Sequence, residues 1–196
     1  MKKKLVYSLV FILVVFLMVN YSNCVLIGNT SSNELTDSEK ALISKYGLGQ
    51  DNIVMRWPDG IVYVYNGTTY KGLPRIIKQI NQIIGGKTVF QLSDDEEISK
   101  VVFKPYTSHK YAWESNWSWD GHGLKKWVFS IDNEYPHRDK LFLAIFVQVA
   151  GFNYQADKKK YGEWWEFSID KNVEKMLKAL YKVPPGYNLS TEKVDE

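Results

Sequence analysis

Ile61-Val62-Tyr63-Val64-Tyr65, and after it Leu73-Pro74-Arg75-Ile76-Ile77-Lys78-Gln79-Ile80-Asn81-Gln82-Ile83-Ile84-Gly85-Gly86, decide the fold class. Every residue of the first run is β-branched or aromatic, which suits a buried strand. In the second, Ile76, Ile77, Ile80, Ile83 and Ile84 recur at helical spacing, and Lys78, Gln79, Asn81 and Gln82 fill the other face. Pro74 at the start and Gly85-Gly86 at the end mark the limits of a helix over Leu73 to Ile84. A strand followed by an amphipathic helix needs a sheet for that helix to cover.

The pattern extends in both directions. Upstream, Asn52 to Trp57 reads as a strand that meets Ile61 to Tyr65 around the turn Pro58-Asp59-Gly60. Before it, Thr36 and Glu39 have capping-box spacing and open a short helix that ends at Gly47. Downstream, Thr88 to Leu92, Lys100 to Lys104 and Lys126 to Ile131 are expected strands. The acidic run Asp94-Asp95-Glu96-Glu97 is expected as a solvated turn, and it lacks the alternating ligand spacing of a calcium loop. Pro105 to Lys125 is expected as a long aromatic loop. Asp139 to Gly151 is a strongly apolar helix. A last helix runs from about Lys171 to Tyr181 and stops at Pro184-Pro185-Gly186. No internal repeat is visible. The expectation is α+β: a single domain with a mixed or antiparallel sheet packed on helices.

Composition agrees with a globular chain. Of 196 residues, 45% are hydrophobic, 15% aromatic and 24% charged, which is too apolar for a disordered polymer. There are 25 basic and 22 acidic residues, and the excess of three is Lys2, Lys3 and Lys4. The chain beyond Asn23 is therefore neutral. A duplex binder needs a basic face to neutralise phosphates, so no nucleic-acid partner is expected.

Those three lysines precede the apolar run Leu5 to Val19, as in an export leader. The run is shorter than the roughly 20 residues of a full span. It is followed by Tyr21-Ser22-Asn23-Cys24, and Cys24 is the only cysteine. A lone cysteine after such a run resembles the lipid-modified cysteine of bacterial lipoproteins, although Tyr21 and Asn23 stand where that signature has an apolar residue and a small one. Lipidation at Cys24, ordinary cleavage near Ser22 to Cys24, and an uncleaved anchor all place the domain outside the cytoplasmic membrane. The expected organisation is a leader or signal peptide over 1–23, a polar linker over 24–35, the α+β domain over 36–190 and a polar tail over 191–196. Membrane attachment would run through the N-terminal anchor.

The order of sheet, amphipathic helix, strand and central apolar helix resembles small zincin metallopeptidases. In those the central helix carries His-Glu-x-x-His, two zinc ligands on one face and a glutamate that activates water. Aligned on the turn Gly151-Phe152, the segment Ala144 to Tyr154 puts Ala144 at the first histidine, Ile145 at the general base, Gln148 at the second histidine and Tyr154 at a third ligand. Alanine and isoleucine neither bind zinc nor move a proton. The resemblance therefore implies a degenerate zincin-like domain with no cofactor and no zincin catalysis. A closer likeness is to a family of uncharacterised exported bacterial domains that look zincin-like. Its motifs correspond here to Arg56-Trp57-Pro58, Gln148 to Phe152, Trp165 to Ile169, Leu180-Tyr181 and Pro185-Gly186. It spans roughly Arg56 to Leu189, with Phe152 in place of the family's leucine. The likeness implies a fold and brings no activity with it.

Three sets of residues are candidates for binding. Gln148 is the one polar side chain between Leu141 and Gly151, so a buried amide there must find partners or face a ligand. Trp113, Trp117 and Trp119 lie together, with Trp164-Trp165 as a second cluster. Such rings either cover the sheet or stack on sugars and partner surfaces. A metal site from His109, Asp120 and His122 is chemically reasonable but matches no familiar ligand spacing. His137 is expected at an exposed helix start. The functional expectation is a non-catalytic domain at the cell envelope that binds a protein or other ligand. The alternatives are a metal-dependent hydrolase using the loop ligands, or a polysaccharide-binding module using the tryptophans.

Overall fold

A computed structural model describes residues 34–49, 52–106, 113–120 and 123–190. The first helix, α1 (Asp37–Tyr46), begins with the expected capping box: Glu39 N–H donates to Thr36 Oγ1 at 3.3 Å, and Thr36 N–H donates to Glu39 Oε2 at 2.9 Å. These bonds satisfy amides that a helix start otherwise leaves free. The strand β1 (Gly60–Asn66) and the helix α2 (Leu73–Ile84) follow, with bounds within a residue of those read from the spacing. Gly85 closes α2 in the left-handed conformation (φ 78°), and its N–H donates to Asn81 O. Then come β2 (Thr88–Ser93), β3 (Val101–Tyr106), β4 (Trp113–Trp119), β5 (Leu124–Asp132), α3 (Arg138–Val149), a 3₁₀ turn at Tyr154–Asp157, the single turn α4 (Lys158–Tyr161) and α5 (Lys171–Leu180).

The sheet has five strands in the order β2-β1-β3-β5-β4. β2, β1, β3 and β5 run parallel, and β4 is antiparallel to β5 at one edge. The fold is thus a mixed-sheet α+β domain, and the described residues belong to one compact unit. Val62, Val64, Phe90, Val101, Phe103, Trp127, Phe129 and Ile131 point to one face and join the main core. α2 and α3 pack there, with Phe103 5.2 Å from Phe142 and 6.4 Å from Phe146 between ring centres. The intervening residues Tyr63, Tyr65, Lys104 and Lys126 face away, as the twofold period of a strand requires.

Two expectations are corrected. Asn52 to Trp57 does not form a hairpin with β1, because both sides of β1 are taken by β2 and β3. The segment is extended and pairs with the C-terminal stretch instead: Val54 N–H donates to Tyr187 O, Gly186 N–H to Val54 O and Leu189 N–H to Asn52 O, all at 2.8–2.9 Å. Pro105 to Lys125 is not one loop, since it contains β4. Polar residues between the tryptophans obscure the strand, and pairing with β5 stabilises what local composition does not specify. The acidic run is a tight turn as expected: Asp95 Oδ1 accepts from Glu97 N–H at 2.8 Å. Among the described residues, no helix is long and apolar enough to cross a membrane.

Candidate functional site

Beyond its first turn, the central helix α3 is built largely as core. Leu141, Phe142, Ala144, Ile145, Phe146, Val147 and Val149 are fully buried. Ala144 and Ile145, at the positions the zincin resemblance gives to a ligand and a base, are packed against other side chains. The Trp57 indole donates to Val149 O at 2.8 Å and fixes the end of the helix. Gly151 then turns the chain with φ 110°, and a Cβ there would lie 2.4 Å from Leu180 Cδ2, so only glycine fits. Gln148 is half-buried; its Oε1 is enclosed and accepts no hydrogen bond. Tyr154 does not face a cleft. It is 3% exposed and packs 5.4 Å from Phe167, and burial raises its hydroxyl pKa.

The two edges of the sheet differ. On β2, the Asn81 side chain reaches from α2 to the backbone of Phe90. Its Nδ2 donates to Phe90 O at 2.8 Å, and its Oδ1 accepts from Phe90 N–H at 2.9 Å. That amide occupies the place of a neighbouring strand and closes the edge there. On β4, β5 covers one side, and the other carries no strand among the described residues. Backbone amides and carbonyls along such an edge are free to pair with another chain.

The β4 side chains sort by face. Trp113 packs 5.8 Å from Phe129, and Trp117 lies 6.2 Å from Trp127. Trp113 and Trp119 are half-buried against the core, whereas Trp117 is 46% exposed. The register shifts between Ser118 and Trp119, so the regular edge runs from Trp113 to Ser118. Glu114, Asn116 and Ser118 take the other face, and Glu114 accepts from the Tyr106 hydroxyl at 2.8 Å. Beside Trp117, the Trp127 indole N–H is buried with no acceptor. The site is therefore a strand edge, regular from Trp113 to Ser118, with one large exposed ring.

The remaining candidates do not converge on it. His109 and His122 lie outside the described residues, as does Cys24. Asp120 is ion-paired with Lys125 at 2.8 Å. Among the described residues, no three His, Cys, Asp or Glu side chains come together as a metal-binding group. His137 is an exposed residue at the start of α3, in the left-handed conformation (φ 62°). Trp164 is buried against Tyr135, and Trp165 projects beside it, 45% exposed. Sequence reasoning missed the pairing role of Asn81. The signal was present, since an asparagine inside a helix has a poor propensity and a side chain that seeks backbone partners. No family model matches this chain, and no curated protein or solved structure matches it.

Proposed function

We propose that this chain is a non-catalytic, exported cell-envelope protein with a zincin-like α+β fold, attached through its N-terminal leader, which binds an extended segment of another protein along the outer edge of β4. The contrast between the two sheet edges carries the binding part. Asn81 caps the Phe90 backbone on one, while the other, among the described residues, carries no strand beside the exposed ring of Trp117. An extended peptide added there gains main-chain hydrogen bonds, and its alternate side chains meet Trp117 and Ser115. The complete burial of Ala144 and Ile145 supports the non-catalytic part. The element order supports the zincin-like part, since a mixed sheet leads through β5 into a central apolar helix.

Panning a random-peptide display library on the full chain tests this reading. Selected peptides should slow amide exchange in β4, and Trp117→Ala should weaken them about tenfold while leaving the circular dichroism unchanged. Peptides that protect another element, or that ignore Trp117, would overturn the edge assignment. Quenching of tryptophan fluorescence by cell-wall glycans, with no peptide selected, would move the surface to the polysaccharide alternative. Peptide hydrolysis abolished by a chelator would overturn the non-catalytic reading and favour loop ligands.

A further inference from the structure

The helix α5 packs its apolar residues inward and presents a row of lysines outward. Val173, Met176, Leu177, Ala179 and Leu180 are buried. Lys171, Lys175 and Lys178 are exposed, and so is Lys182 in the turn that follows the helix. The spacing i, i+4, i+7 keeps Lys171, Lys175 and Lys178 on one face, and Lys182 follows two residues past the helix end. Two carboxylates offset part of this charge. Glu39 accepts from Lys182 at 2.7 Å, and Glu174 lies 3.9 Å from Lys178. Lys175 donates to the Ser38 hydroxyl at 2.9 Å, and among the described residues neither it nor Lys171 has a carboxylate partner.

The position of this face in the chain adds a second observation. α5 packs on α1, through Lys175 to Ser38 and Lys182 to Glu39. α1 is where residues 1–33 join the domain. On the anchorage reading, residues 24–35 are all that separate the anchor from α1, and a chain of that length spans at most about 40 Å, so the start of α1 stays near the bilayer. A lysine face beside the tether meets the headgroups at high effective concentration. From these observations we infer that the lysine face of α5 rests on the anionic headgroups of a membrane and orients the tethered domain on it. The inference depends on the anchorage reading above. Its chemistry is electrostatic: ammonium groups displace counterions from lipid phosphates, and the attraction fades within a Debye length.

The test is amine-reactive labelling of the full chain, reconstituted into vesicles and read by mass spectrometry at each lysine. Phosphatidylcholine vesicles are compared with vesicles containing about one-third phosphatidylglycerol. Labelling of Lys171, Lys175 and Lys178 should fall about threefold in the anionic vesicles, and about 1 M NaCl should restore it. Lys125, ion-paired with Asp120 on the sheet, should label equally in both. Equal labelling of the α5 lysines in the two vesicles overturns the inference, as does protection that survives the salt. Failure of the chain to float with neutral vesicles overturns the anchorage reading instead, so the two failures are distinguishable.

Discussion

Arg56 carries a full charge into a site where only 1% of the residue meets solvent. Its guanidinium donates from Nε to Val183 O at 2.8 Å, from one terminal nitrogen to Trp57 O, and from the other to Asp59 Oδ1 at 3.0 Å. The Tyr181 ring lies beneath it, 5.0 Å away. Burial raises the Tyr181 hydroxyl pKa, against the opposing effect of the Arg56 charge. A planar fork with several donors suits this site, and an ammonium does not. Arg56→Met should cost about 3 kcal/mol in urea unfolding, because two buried carbonyls lose their donor. Arg56→Lys should cost about 2 kcal/mol, since the charge remains but the fork is gone.

At the scale of elements, the sheet depends on what each edge does. Asn81→Ala should remove two hydrogen bonds to Phe90 and cost about 2 kcal/mol. It should also open the β2 edge, so sedimentation should show stronger concentration-dependent association than in the parent chain. The elements differ in how far the sequence revealed them. The isoleucines of α2 were legible because the helix is amphipathic, with one side in the core and one in water. The helix α3 was legible as apolar, and that Ala144 and Ile145 carry no group able to bind a metal or move a proton could be read from residue identity alone. The strand β4 was not legible, because Glu114, Ser115, Asn116 and Ser118 resemble loop residues and only the β5 partner makes them a strand. The pairing of Asn52 to Trp57 with the C-terminal stretch was hidden for a related reason. It is a contact between distant segments, and no local signal marks it.

At the scale of the molecule, two carboxylates, Glu39 and Asp157, tie the first helix to the C-terminal region, and a third, Asp170, ties the start of α5 to Lys160. Burial alone would raise the Glu39 pKa, but hydrogen bonds from Lys182 and Thr36 outweigh it, and the net shift is downward. The Lys45 ammonium, at 2.8 Å, lowers Asp157. Asp170 is raised by burial and lowered further by the Val173 amide and Lys160, for a net depression. A depressed carboxylate contributes stability that is present above its unfolded pKa and is lost as pH falls through the folded one. The melting temperature should therefore hold level down to about pH 5 and decline below about pH 4. Glu39→Gln should make that decline shallower, and an equally steep decline in the variant would show that the Glu39–Lys182 pair plays no part.

The bond from Arg56 to Val183 joins positions 127 apart in the chain. A polypeptide made from its N-terminus onward holds Arg56 long before Val183 exists. Until then the buried charge has only its own neighbours, and the extended segment beside it lacks the Gly186 to Leu189 stretch it pairs with. The surroundings of Arg56 are thereby completed only after Val183 to Leu189 have been made. For an exported chain, as proposed above, a clasp that closes this late lengthens the time in which the polypeptide is open enough to be threaded, and Val183 to Leu189 act as its latch.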